Sequence, residues 1–255
     1  MDDKPTFCIS RKLDSLDTGW ISLPGPYLLY AKVGTFRLEL HDRQWLLPPQ
    51  RAAWIPPNTP LRILADHPIE SASILYSPDS GVEAPSRCCV FSVSPLGREM
   101  IVYSTRWTED RLPHDARAEG FFRSIANIFL ELAETPDQLW LPLVQSTLLK
   151  RAMDHVLNHL GDPLTTDSVA QLVHCTARTL SRKFINESEM TLGQFIQRAR
   201  ILRAMELLAQ SDMTVLEIVY AVGLNSVGSF EVSFRKIVQE SPLQYRKRLL
   251  SGSRS

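Results

Sequence analysis

Arginine is the residue type whose placement in this 255-residue chain says most about chemistry. Arg178 and Arg182 stand four apart with Ser181 beside them, while Leu180 and Phe184 mark the inward side of the same helix. An exposed guanidinium on such a face can bond guanine O6 and N7 in bidentate fashion. Other chemistry-bearing residues are less well placed. His155 and His159 have the i, i+4 spacing that can chelate a metal, but no glutamate follows His155 and no third ligand accompanies them. His41 and His67 each sit alone beside charged or turn residues. Cys8, Cys88, Cys89 and Cys175 form no CxxC and no metal-type spacing. The pair Cys88-Cys89 reads either as a redox sensor or as two small buried hydrophobes. No catalytic group, metal site or cofactor is expected.

For arginines to meet base edges, their helix must be held in a groove. Thr165-Thr166-Asp167 caps a helix through Val169, Ala170, Leu172 and Val173, and after His174-Cys175, Thr176 starts the helix bearing Arg178. The same form recurs downstream. Val215, Ile218, Val219 and Val222 share one face, and Gly223 supplies the turn. Asn225 or Ser226 caps a second helix with Phe230, Phe234 and Ile237 on one side. Pro242 then stands where it can stop or redirect the chain, followed by Tyr245 and the basic run Arg246, Lys247, Arg248. Two short helices joined by a tight turn, with basic residues alongside, have helix-turn-helix form. Between the pairs, Thr191 opens a long helix with Leu192, Phe195, Ile196, Ala199, Leu202 and Met205 as its core stripe. At about 1.5 Å per residue it spans roughly 28 Å. Helices entering successive major grooves lie about 34 Å apart, a distance such a rod plus half a helix width at each end can bridge.

Charge and proline are distributed unevenly. The chain is neutral, yet residues 1–148 hold 14 basic and 18 acidic side chains, and residues 149–255 hold 14 and 10. The C-terminal part is thus the cationic one, as nucleic-acid binding permits. Fifteen prolines precede residue 145, with only Pro163 and Pro242 after it. A turn-rich part followed by a helical one is expected. Between Leu28 and Tyr76 short alternating runs end at Gly34, Pro48-Pro49, Pro56-Pro57 and Pro78, which predicts a small β-barrel or sandwich. Ser94 caps a helix with Pro95 at its first position. Residues 116–132 form a helix with Phe121, Phe122, Ile125, Ile128, Phe129 and Leu132 along one side. Residues 139–142 make a short extended break before a helix from about Val144 to Leu160. No apolar run approaches the roughly 20 residues that span a bilayer, and the start of the chain lacks a signal-peptide core; a cytoplasmic protein, not bound to membrane, is expected.

The stretch 214–246 resembles the C-terminal signature of the AraC-type (arabinose-regulator) family of transcription factors. The matching elements are the Ile218 helix, Gly223, Phe230, Phe234-Arg235-Lys236, Ser241-Pro242 and Tyr245-Arg246. Residues 178–184 resemble the first recognition helix of the same family, and residues 48–63 resemble the second half of a cupin barrel. The resemblance implies an α+β two-domain protein: a cupin-like barrel with trailing helices over 1–143, and an all-α double helix-turn-helix over 144–255. The units are expected at about 165–187 and 214–238, joined by a helix over 191–209. It also implies a second reading face at Val227, Gly228, Ser229, Glu231 and Val232, poor in donors. Base contacts are therefore expected from Arg178, Ser181 and Arg182, with Ser229, Glu231 and Val232 secondary. Phosphate contacts are expected from Thr176, Thr179, Lys183, Asn225, Ser226, Arg235 and Lys236. Three positions depart from the pattern. Glu189 and Gln239 replace glycines, at a cost on the order of 1 kcal/mol each if the turns stay left-handed, and Leu224 replaces a phenylalanine.

The expected function is sequence-specific regulation of transcription on double-stranded DNA, with RNA polymerase as partner in activation. A small organic effector is expected in the barrel, with Tyr27, Tyr30, Phe36, Trp45 and Trp54 as candidate lining. The family pairs subunits through helices after the barrel, which makes 116–132 a candidate homodimer surface; packing on its own barrel is the alternative. Leu61 stands where many cupins carry a metal-binding histidine, so an enzyme is not expected. The competing readings are a cupin metalloenzyme on a DNA anchor and an interaction adaptor that binds DNA non-specifically.

Overall fold

The computed structural model describes residues 5–49, 51–111, 116–137 and 139–252. The chain divides into two compact units, residues 1–138 and 139–255.

The first unit contains β1 (Phe7–Ile9), β2 (Lys12–Leu13), β3 (Leu16–Asp17), β4 (Tyr27–Val33), β5 (Phe36–Glu39), β6 (Arg43–Leu47), β7 (Arg51–Ile55), β8 (Arg62–Ala65), β9 (Ile69–Ser71), β10 (Ser73–Leu75) and β11 (Cys89–Ser92). Helices α1 (Pro95–Ser104) and α2 (Ala116–Ala133) follow. One antiparallel sheet runs β1-β10-β4-β7-β11, with β9 also on β4 and β2 on β9; a second carries β6-β5-β8-β3. The expectation of a barrel is corrected at this point: among the described residues the pairings leave two sheets and close no barrel. Prolines flank many of the strand ends, and a residue without an N–H cannot carry a ladder further. Strands β1 to β3 lie before the region where alternation was expected to begin.

In β4 and β7 nearly every residue is buried, because their sheet is covered on both faces. On one face Leu28, Tyr30, Trp54, Ile74 and Phe91 pack against Ile101 of α1 and Phe122, Ile125 and Phe129 of α2. The phenylalanine face of α2 is thus taken up largely by its own sheet, while Phe121, Ile128 and Leu132 remain half-buried beside it. Ser94 accepts the Gly97 N–H at 3.1 Å to start α1, with Pro95 in the first turn. Arg51, buried in β7, forms an ion pair with Asp137.

The second unit contains α3 (Thr147–Asn158), α4 (Thr166–Leu172), α5 (Ala177–Ser188), α6 (Leu192–Gln210), α7 (Val215–Ala221), α8 (Val227–Val238) and α9 (Pro242–Gly252). Threonines cap α4, α5, α6 and α7, each accepting a backbone N–H at the third helical position. The expected stripe of α6 is buried, and so are Ile201, Ala204 and Leu208, because α3, α7, α8 and α9 pack around it. Pro242 starts a helix rather than stopping the chain. Ser241 and Gln244 bond each other's backbone N–H in a capping box ahead of α9, and proline at the first helical position loses no helical hydrogen bond. Tyr245 then meets Phe234 edge-on at 5.7 Å.

Candidate nucleic-acid interface and ligand cavity

The pairs α4–α5 and α7–α8 repeat one plan, seven residues then twelve, and differ in the turn. The first turn passes through His174 at φ 55°, the second through Gly223 at φ 74°. His174 is exposed and accommodates the left-handed backbone at a cost. Gly223 has no such freedom. A Cβ there would lie 2.2 Å from the carbonyl oxygen of Leu160 and 2.8 Å from Nη2 of Arg200. Glu189 and Gln239, after α5 and α8, also keep left-handed backbone at φ 55° and 66°, so those turns have not changed shape.

In α5, Leu180 and Phe184 are buried while Arg178 and Arg182 are exposed and Ser181 is half-buried. Thr176 is exposed and its hydroxyl serves two roles, accepting the Thr179 N–H at 3.2 Å and bonding the Thr179 hydroxyl at 2.9 Å. Lys183 is half-buried and lies 3.6 Å from Glu187, so part of its charge is already matched. In α8, Phe230 and Phe234 are buried, Gly228 and Ser229 are exposed, Val227 and Glu231 are half-buried, and Val232 is 70% exposed. Ser226 caps this helix, accepting the Ser229 N–H at 3.3 Å, and Asn225 is exposed before it. Arg235 and Lys236 are exposed in its last turn, where cations complement the helix dipole. At the positions of the expected base contacts α5 offers two long, charged donors, Arg178 and Arg182, whereas α8 offers Ser229, Glu231 and Val232 and keeps its cations, Arg235 and Lys236, for its last turn.

Sequence reasoning missed two connecting arginines. Arg200 donates to the Leu160 carbonyl from Nε at 3.3 Å and Nη2 at 3.2 Å, and to the Asp162 carbonyl at 3.3 Å. Partial burial lowers its pKa by desolvation. Arg198 stacks over Trp140 at 4.9 Å and donates to the Trp140 carbonyl at 3.3 Å. The signal for both was an arginine flanking the apolar stripe of a helix packed on several sides. The His155 and His159 rings stack at 4.2 Å, with His159 Nδ1 2.8 Å from the His155 carbonyl. Among the described residues no group of three or more His, Cys, Asp or Glu is placed to hold a metal. Burial pushes the Cys89 thiol up to about 11 and the Cys88 thiol higher, so both stay protonated at neutral pH.

Between its sheets the first unit holds a partly open cavity of about 170 Å³. Tyr27 and Phe36 line it together with Leu13, Leu29, Ile63 and Ser73; Tyr30, Trp45 and Trp54 do not. Strand parity is the reason. Tyr27 and Leu29 face the cavity, whereas Leu28 and Tyr30 on the same strand face the helices, together with Trp54. Trp45 shares the parity of Phe36 but is buried beside Leu38, two cross-strand pairs along from Phe36 and outside the lining. Arg11 also lines the cavity, and the period-two alternation of Ile9, Arg11 and Leu13 was its signal in the sequence.

Two helix-turn-helix units built on one connecting helix define the second unit as a DNA-binding domain of the double helix-turn-helix class. Residues 169–248 match the family model of a helix-turn-helix domain. The chain is 26% identical over 97% of its length to the HTH-type transcriptional regulator NimR of Escherichia coli (strain K12), covering 89% of that protein. It is 30% identical over 40% of its length to the HTH-type transcriptional activator RhaR of Salmonella typhi, covering 36% of that protein. Among solved structures, the DNA-binding domain of AdpA in complex with a target DNA is 25% identical, covering 42% of this chain and 96% of that one, with a TM-score of 0.40. The chain thus carries a helix-turn-helix domain over residues 169–248 and is similar along nearly its whole length to a transcriptional regulator. Among the described residues no helix is long and apolar enough to cross a membrane.

Proposed function

We propose that this regulator reads an asymmetric promoter site with α5 as the main base reader and α8 as the docking half. The observation that carries the reading is the exposed pair Arg178 and Arg182 opposite the buried Leu180 and Phe184. Arg178, Ser181 and Arg182 contact bases in one major groove. In the next groove Ser229 and Glu231 make the polar contacts and Val232 touches a thymine methyl. Thr176, Thr179, Lys183, Asn225, Ser226, Arg235 and Lys236 hold phosphates and set the register. The first unit is a cupin-like sensor whose cavity takes a small organic effector in the cytoplasm. Binding there changes promoter occupancy through a differential affinity for two states of the protein. A second copy docking on residues 116–132 meets the half-buried Phe121, Ile128 and Leu132, and in activation the DNA-bound protein contacts RNA polymerase. Neither a catalytic step nor a metal enters this reading. Footprinting of the full chain on genomic DNA is the test: protection of two adjacent unlike segments supports it, and uniform weak binding everywhere would favour the adaptor reading.

A further inference from the structure

We propose that the ligand of the N-terminal cavity is a small apolar monocarboxylate of about benzoate size, with its carboxylate on the guanidinium of Arg11 and its body between Leu13, Leu29, Phe36 and Ile63. This deepens the sensor reading and rests on it. Size comes first. An apolar protein cavity of roughly 150 Å³ accommodates a benzene ring, and this one measures about 170 Å³. One ring or a short branched chain fits; a long-chain acid does not. Most of the wall is aliphatic or aromatic, so the body of the ligand is apolar.

The charge comes from Arg11. It is the charged member of the lining and the exposed one, the rest being buried or half-buried, so the cavity reaches the surface beside it. The neighbouring cations are engaged: Glu70 lies 3.6 Å from Lys12 and 3.1 Å from Lys32. The guanidinium of Arg11 has no such carboxylate among the described residues. Its backbone is fixed to the wall, since the Arg11 N–H donates to Ser71 Oγ at 3.1 Å and that hydroxyl lies 3.3 Å from the Ile9 carbonyl and 3.4 Å from that of Arg11. A planar fork anchored at the rim of an apolar hole matches a carboxylate in bidentate fashion. Tyr27, on the same wall, remains a neutral hydroxyl at physiological pH: burial pushes its pKa to about 12, and the Ser73 hydrogen bond and, to a lesser degree, the Arg11 charge only moderate the rise. A cationic amine is repelled by Arg11, and a second anionic group would be stranded in the apolar interior.

Isothermal titration of the full chain with sodium benzoate and with benzyl alcohol, its neutral counterpart, tests the assignment. Benzoate is expected to bind, and to bind Arg11→Gln about tenfold or more weakly, the usual loss for a hydrogen-bonded charge. Arg11→Lys should recover part of the affinity, and benzyl alcohol should bind wild type and Arg11→Gln alike. Superposable melting curves for wild type and Arg11→Gln establish that the fold is intact. Filling the cavity with Leu29→Phe, or from the other sheet with Ile63→Phe, should weaken both probes. Benzyl alcohol binding as tightly as benzoate, or benzoate binding unaffected by Arg11→Gln, would overturn the carboxylate class and leave the cavity as a ligand site. Failure of both probes to bind at millimolar concentration would sink the sensor reading and this proposal with it.

Discussion

Arg200 and Gly223 meet at a single oxygen, the carbonyl of Leu160: the arginine donates to it twice, and the glycine approaches too closely for a Cβ to fit. The end of α3, the connecting helix α6 and the turn of the second helix-turn-helix are thereby joined at one point. The second helix-turn-helix is thus tied to the chain after α3 as well as to α6.

Gly223→Ala should therefore destabilise the second unit by about 3 kcal/mol, combining left-handed strain with a backbone clash. His174→Gly, at the matching turn, should do the opposite and stabilise by up to about 1 kcal/mol, because it relieves strain without filling space. Urea unfolding of the full chain followed by circular dichroism measures both. Equal effects of the same sign would refute the contrast between the two turns.

Base and phosphate contacts differ in their salt and sequence signatures. Arg182→Ala should weaken the specific site by about 1–3 kcal/mol and relax base preference at one position of its segment. Arg235→Ala should weaken all sites alike and reduce the salt slope by about 1. Gel-shift titrations at several salt concentrations, on native and single-base variant sites, separate the two. Uniform weakening by Arg182→Ala would place Arg182 on phosphate.

The capping carboxylate of Glu217 gives the second unit a pH-dependent term. The Thr214 backbone N–H and hydroxyl both donate to it, at 2.7 and 2.8 Å, and these bonds hold its pKa below the usual value of 4.5. The stabilisation is complete above the unfolded-state pKa and is lost as pH falls through the lower folded value. Thermal unfolding between pH 6 and pH 3, on the order of the window where carboxylates titrate, should show a shallower loss for Glu217→Gln than for wild type. Parallel curves would mean that the carboxylate adds nothing beyond the neutral cap.

In the first unit, Asp137→Ala leaves Arg51 buried at 3% exposure without its partner carboxylate. A loss of about 3–5 kcal/mol is expected. Replacing both, Arg51→Met with Asp137→Leu, should recover much of it. A double-mutant cycle in guanidinium chloride decides; additive losses would show that the pair is not coupled.

Much of the second unit was legible in the chain because each helix announces itself locally. Thr191 gave the start of α6, where the structure adds a capping box with Gln194, and the apolar stripe gave its buried face. Leu180 and Phe184 turning inward is also what left Arg178 and Arg182 outward. The first unit was legible as strands but not as an arrangement. Strands of two or three residues, such as β2 and β3, carry too little alternation to be seen. Nor does alternation say which of a strand's two faces meets the cavity, which is why Tyr30 and Trp54 were grouped with Tyr27. Arg11 and Arg200 escaped notice for a related reason: each acts through partners distant in sequence, Ser71 in one case and Leu160 in the other. At Pro242 the residue type allows either a stop or a start, and the cap provided by Ser241 decided for a start.

Because α6 is packed on several flanks, its length is not free to drift. One inserted residue would rotate everything beyond it by about 100° and carry Leu202, Met205 and Leu208 away from their neighbours. On the proposed two-segment site, base preference can change one side chain at a time while the distance between the two halves is inherited as a unit. A promoter that gains or loses a base pair between those halves is expected to lose the regulator in a single step.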